Sequence, residues 1–220
     1  MQLPGDACDC AHPQNECFPD RATLRDAIAA FMTGGGSNGA SWTGSTFANT
    51  YGVVMNEWCT GLVDDFDYLF RNLNLVVHGG GSGFNQPNTF NEPIDQWDTS
   101  SVTSMAYMFA ECDEFNQPLN SWNVSAVTSF EGMFYDAETF NQPLDSWTTS
   151  SATTMSSMFE DAHSFNQPIG TWDVRNVESL VGIFSDATAF NQDISGWNIE
   201  VPTDVLTSVV SSMKSFLHHS

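Results

Sequence analysis

Basic residues are nearly missing from this chain. Arg21, Arg25, Arg71, Arg175 and Lys214 are the whole supply, 5 against 27 Asp plus Glu, for a formal net charge of −22 over 220 residues. Nucleic-acid binding needs a basic stripe to neutralise phosphates, so this scarcity excludes it. It argues equally against docking on an anionic lipid surface. Long apolar runs are missing too: none comes near the length that crossing a bilayer requires, so no transmembrane helix is expected. The opening MQLPGDACDC holds no apolar signal core, so a leader is expected to be absent or removed. Motifs that carry chemistry are equally sparse. The single Lys excludes a Walker phosphate loop, the 5 His form no H-E-x-x-H pair, and no G-x-S-x-G nucleophile motif occurs. What remains is 41% hydrophobic, enough for a core and too much for a disordered polymer. A protein that is not an enzyme is the expectation.

What is abundant is repetition. Trp97, Trp122, Trp147, Trp172 and Trp197 recur at one invariant interval, and Phe90, Phe115, Phe140, Phe165 and Phe190 keep the same interval at a fixed distance before them. The segments between each Phe and its Trp read FNEPIDQW, FNQPLNSW, FNQPLDSW, FNQPIGTW and FNQDISGW. A degenerate earlier copy opens at 51–58 (YGVVMNEW), with Phe66 and Phe70 at the offsets later held by Met105 and Phe109. That copy is longer than the others, and the excess at 76–89 contains HGGGSGFNQPNT.

Within one copy, Leu119, Trp122 and Val124 end in the alternation of a short strand. Val127, Phe130, Met133, Phe134 and Ala137 then lie on one helical face, with Ser125 placed as its N-cap, and Asn141, Gln142 and Pro143 turn the chain onward. The spacing therefore predicts an α/β repeat solenoid, leucine-rich-repeat-like, in which 25-residue strand–turn–helix copies stack because none can bury its apolar side alone. Three segments follow: an N-terminal Cys-containing cap with a Gly/Ser-rich loop at 1–50, about six repeats at 51–200, and a C-terminal capping helix at 201–220. The first cap includes a helix over 20–32, with Leu24, Ile28 and Phe31 on one face. The last includes Val205 and Val209 in register with the repeats.

The pattern FNQPLxxWxVSxVTSMxxMF over 51–199 resembles the BspA-like surface-protein repeat, a divergent leucine-rich repeat of mycoplasma and bacterial surface lipoproteins and of microalgal proteins. The resemblance implies an extracellular or surface-displayed interaction or adhesion module without catalytic residues. Thr99 and Thr149 depart from it, standing where its strand usually holds Val. A structural subunit of a larger assembly, or a cation-dependent glycan binder, are the other readings the residues allow.

Four sets of residues are candidates for function. Cys8, Cys10, Cys17 and Cys59 form an even set near the N-terminal cap, which reads as disulfides in an oxidising compartment: secreted, cell-surface or similar. Their pairing is open. Cys112 occupies the place of Ala137, Ala162 and Ala187 and reads as a small core residue. Glu111, Asp136, Asp161 and Asp186 recur at one fixed offset after each Trp. They read either as acids making Asx-type turn hydrogen bonds or as a column of carboxylates holding calcium; no other cofactor is implied. A further row follows the Trp residues on what would be the concave face: Asp98, Asn123, Thr148, Asp173 and Asn198, with Ser100, Ser125, Ser150 and Arg175 two residues on. Its hydroxyls and amides suit a protein partner or a glycan. The Asn of each FNQ reads as a buried ladder. Asn123-Val124-Ser125 is the one glycosylation sequon.

Overall fold

Phe130, Met133, Phe134 and Ala137 keep a helical spacing and are fully buried, yet no helix forms there. A computed structural model describes residues 16–33, 46–52, 54–71 and 88–197. Outside the described residues lie Cys8, Cys10, the 34–45 loop, most of the 76–89 excess, Asn198 and the 201–220 cap. Among the described residues helix is confined to α1 (Arg21–Thr33), α2 (Thr46–Tyr51) and a 3-10 turn at Met55–Glu57. Strands among the described residues are reduced to single-residue parallel bridges at Cys17–Cys59, Asp65–Ser104, Ser104–Ser129, Ser129–Thr154 and Thr154–Ser179. The strand–turn–helix solenoid is therefore corrected: the copies stack, but each is built of turns.

The reason is a pair of left-handed residues in each of four copies. Tyr107 and Glu111, Gly132 and Asp136, Ser157 and Asp161, and Gly182 and Asp186 all have φ between 53° and 69°. An L-residue helix cannot continue through such a backbone. The chain instead closes i→i+3 turns, such as Cys112 N–H to the Phe109 carbonyl (3.1 Å) and Ala137 N–H to that of Phe134 (3.2 Å). Consecutive turns return apolar side chains to one side every three or four residues, which is why the spacing imitates a helix. Ser125 accordingly caps nothing. Trp122 is not in a strand either, because its N–H closes a turn on the Leu119 carbonyl (3.1 Å).

The left-handed residues leave alternate N–H groups free to point along the stack. Phe130, Gly132, Phe134 and Asp136 donate to the carbonyls of Thr154, Ser156, Met158 and Glu160 in the next copy, at 2.8–3.0 Å. Met105 to Glu111 and Met155 to Asp161 repeat the pattern with the same offset. In the first copy Phe66, Tyr68 and Phe70 donate to Ser104, Ala106 and Met108, an offset lengthened only by the extra stretch of that copy. The first copy's own carbonyls would be left open. They are met by α1, where Arg21 donates to the Asp67 carbonyl (3.3 Å) and Arg25 to those of Tyr68 and Arg71. Asp20 caps α1 through the Thr23 N–H (2.8 Å), and Leu24, Ala27, Ile28 and Phe31 bury its inner face.

Inside the stack, aromatic rings form continuous columns. Phe90, Phe115, Phe140, Phe165 and Phe190 follow each other at 5.6–6.0 Å. Phe109, Phe134, Phe159 and Phe184 make a second column, interlocked with the first at about 4 Å. The rings of Trp97, Trp122, Trp147, Trp172 and Trp197 are buried, and each Nε1–H donates to a carbonyl of the preceding copy, as Trp147 does to Leu119 (2.9 Å). The departures at Thr99 and Thr149 have a purpose. Both are buried, and each hydroxyl donates to a carbonyl of the next copy, Asn123 and Asp173 respectively, at 3.0 Å.

Trp147 stacks on Trp172 at 6.2 Å and on Phe130 at 5.6 Å. Trp147→Ala therefore opens a cavity shared by adjoining copies and is expected to cost about 3–5 kcal/mol in equilibrium denaturation. A loss under about 1 kcal/mol would show that the column carries little of the stability.

Candidate functional site

The residue after each Trp sits where the chain leaves the core and turns, and a short side chain there can close the turn on itself. Asp98 accepts from the Ser100 N–H (3.0 Å) and hydroxyl (2.6 Å), and Asn123 accepts likewise from Ser125 (3.2 and 2.7 Å). Asp173 takes the N–H and the guanidinium of Arg175, with Nη2 at 2.7 Å. Those bonds from Arg175 hold the Asp173 carboxyl down at about 2. Asp98, Asn123, Thr148, Ser100, Ser125 and Arg175 are exposed, while Asp173 and Ser150 are partly covered. The structure thus brings the predicted row together in register, one member per copy. Asp98, Asn123 and Asp173 lie on Asx turns while the Thr148 side chain closes none, the row is not the concave face of a sheet, and Asn198 falls outside the described residues.

The FNQ asparagines also form a ladder. Asn91, Asn116, Asn141 and Asn166 each accept, through Oδ1, the backbone N–H of the equivalent Asn in the next copy, at 2.9–3.0 Å. They are partly or fully exposed rather than buried, so the ladder stitches an outer edge.

The acidic column does something other than expected. Among the described residues the side chains of Asp136, Asp161 and Asp186 accept no hydrogen bond, so the Asx-type turn reading is corrected. What they share is the left-handed backbone, with φ of 54°, 59° and 53°. Each stands third in an i→i+3 turn, a place that favours residues tolerant of positive φ, and Asp is among the more tolerant. Glu111, with φ 61°, pairs with Arg71 at 2.7 Å. Burial, followed by the charges of Asp161, Asp113, Glu138 and Glu111, pushes the Asp136 carboxyl above its ordinary value. Among the described residues no three His, Cys, Asp or Glu are grouped so as to hold a metal ion.

One cluster had no counterpart in the sequence reading. Tyr68 and Tyr107 stack at 5.2 Å, with the Arg71 guanidinium 5.7 and 5.1 Å from the two rings. The Tyr107 hydroxyl donates to Glu131 at 3.1 Å. A Cβ on Gly132 would collide with the Tyr107 ring, so this copy needs Gly for the ring to lie across it. The signal was present: Tyr68 and Tyr107 have the same separation as the equivalent pair Phe70 and Phe109.

Cys17 and Cys59 are joined in a disulfide. Cys112 is a free, fully buried thiol, and burial pushes its pKa well up. No helix among the described residues is long and apolar enough to cross a membrane. The family model described as "Mycoplasma protein of unknown function, DUF285" matches residues 46–162 and 138–219, two overlapping lengths that cover the repeats. The chain belongs to this family. No curated protein and no solved structure matches it. In this DUF285 chain, then, the family pattern coincides with the turn-built stack and with both polar rows.

The raised Asp136 carboxyl makes stability depend on pH. Its folded pKa is raised, so the folded chain holds more protons than the unfolded one above the ordinary carboxylate range, and stability falls as pH rises through that window. Asp113 shifts the same way, through burial and then Glu138. Melting temperature is therefore expected to rise from pH 7 toward about 5, and to fall below about 4 as Asp20, Asp173 and Asp193, all lowered by hydrogen bonds, become protonated. Asp136→Asn should stabilise at pH 7 by on the order of 0.5 kcal/mol and flatten the upper limb. Asp136→Ala removes the same charge but faces a left-handed cost of about 1 kcal/mol, so it should destabilise. Two variants moving together would refute this account.

Proposed function

We propose that this chain is a non-enzymatic interaction or adhesion module of the BspA-like type, secreted or displayed on a cell surface. The observation that carries this reading is where the polar groups go. Backbone, Trp, buried Thr and FNQ Asn groups are used in holding copies together, while a regular row at Asp98, Asn123, Thr148 and Asp173, flanked by Ser100, Ser125, Ser150 and Arg175, faces outward. Such a row offers closely spaced donors and acceptors on a rigid support, which lowers the ordering cost of binding. The Cys17–Cys59 disulfide supports an oxidising compartment. The resemblance of the repeat to surface proteins supports display.

Two measurements test the reading. A photo-crosslinking residue at Thr148, in the chain on its native surface or in its native medium, is expected to capture a partner that the same residue at Val181, exposed but outside the row, does not. Equal capture at both positions, or none, would remove the row as the contact surface. For the compartment, alkylation of the denatured, unreduced protein is expected to label one cysteine, Cys112. Labelling of Cys17 or Cys59 would contradict secretion.

A further inference from the structure

We propose that Asn123 is an N-glycosylation site. Asn123-Val124-Ser125 is the chain's one Asn-x-Ser/Thr sequence, and the structure adds three conditions that the motif alone does not meet. The side chain is exposed. Its Oδ1 accepts both the N–H and the hydroxyl of Ser125, at 3.2 and 2.7 Å, so the sequon is already folded into an Asx turn. Its Nδ2, the atom that would take the sugar, makes no hydrogen bond among the described residues. Neighbouring asparagines differ: Asn120 Nδ2 donates to Asp145 and Asn176 Nδ2 to the Ser150 carbonyl.

The position also tolerates what would be attached. Asn123 is flanked along the stack by Asp98 and Thr148, both exposed, so a glycan meets no core group. Its main chain is held by the Thr99 hydroxyl on the Asn123 carbonyl, so the turn is set independently of the amide nitrogen. Other copies present the same turn without the chemistry, as Asp98-Thr99-Ser100 and Asp173-Val174-Arg175. The ladder asparagines are followed by Glu-Pro, Gln-Pro or Gln-Asp and have no hydroxyl at the third place.

The donor is a lipid-pyrophosphate-linked oligosaccharide. Nδ2 attacks C1 of its reducing-end sugar: the N–C bond forms and the C–O bond to pyrophosphate breaks. The electron pair leaves on the lipid pyrophosphate, the amide proton passes to a carboxylate of the transferase, and nothing is oxidised or reduced. The hydroxyl of Ser125 holds the amide oxygen and so orients the nitrogen outward. One sugar chain then replaces the middle of the outward row, leaving Thr148, Ser150, Asp173 and Arg175 as its longest bare stretch.

The full chain, produced through a eukaryotic secretory pathway, is weighed intact before and after peptide-N-glycosidase F. The expected result is one glycan, removed by the enzyme with conversion of Asn123 to Asp. It is absent from Asn123→Gln and Ser125→Ala and retained in Ser125→Thr, which keeps the hydroxyl. The wild-type mass itself carries the test, so it does not depend on how the variants fold. A secreted wild type with Cys17 joined to Cys59 but no glycan overturns the proposal, as does a glycan that persists in Asn123→Gln. Crosslinking at Thr148 is read separately, so a bare Asn123 with capture at Thr148 rejects the glycan and leaves the interaction reading standing.

Discussion

A chain that buries a Trp and several Phe in every copy must also bury the peptide groups between them, and each of those needs a partner. That demand shapes this molecule. A helix would satisfy it within one copy but would leave adjacent copies joined by side chains alone. Turns broken by left-handed residues divide the N–H groups into two sets. One closes i→i+3 within the copy, and the other reaches carbonyls of adjacent copies, chiefly the next one, at about 2.7–3.0 Å. Stacking and backbone satisfaction become the same event, so a single copy has no independent stability to fall back on.

The ladder has a direction, and the ends differ because of it. In the main rungs, such as Phe130 to Asp136, donors point toward higher residue numbers, with one bond per copy pointing back, as from the Thr128 N–H to the Thr103 carbonyl, so the first copy presents carbonyls. Arg21 and Arg25 of α1 meet them, and Arg71 closes the same corner through Glu111 and the two Tyr rings. Three of the five basic residues thus gather at one end, which gives the scarcity of cations a structural meaning. A guanidinium offers several donors in a fixed fork, and this edge lacks only donors. Over 88–197 the chain carries 16 acidic residues against Arg175 alone. The crowding raises Asp113 and Asp136 where carboxylates of successive copies approach, a standing repulsion that the aromatic columns outweigh.

Period and burial were legible in the sequence; conformation was not. The repeat interval, the inward Trp and Phe, the longer first copy and Cys112 as a core residue can all be read from spacing, because burial follows spacing whatever the backbone does. Helix and strand could not be told from turns by the same spacing. Phe130, Met133, Phe134 and Ala137 fit a helical face, and linked turns return side chains at the same intervals. The sign against a helix lay in the acids. Asp136, Asp161 and Asp186 recur at a left-handed position, and Gly132 and Gly182 mark the second one. Tyr107 and Ser157 at that second position hide the Gly signal in half the copies. The outward row was found by its offset from Trp, but its Asx turns depend on the residue two places on and so emerge only with the backbone.

Regularity also limits what a stack can recognise. A residue repeated in every copy presents the same group at the same interval, and here most repeated groups are engaged in holding neighbours: Trp Nε1 on a carbonyl, Asn Oδ1 on the next Asn, Phe on Phe. A partner that contacted only repeated groups would bind in any register, because shifting by one copy restores the same contacts. Discrimination has to come from positions that break the period. On the outward row these are Asn123, which has no acid, Thr148, which closes no turn, and Arg175, the one Lys or Arg over 88–197, paired with Asp173 at 2.7 Å. Off the row, Tyr107 over Gly132 and exposed Val181 play the same part. The repeats set the spacing of the surface, and these departures give it an address.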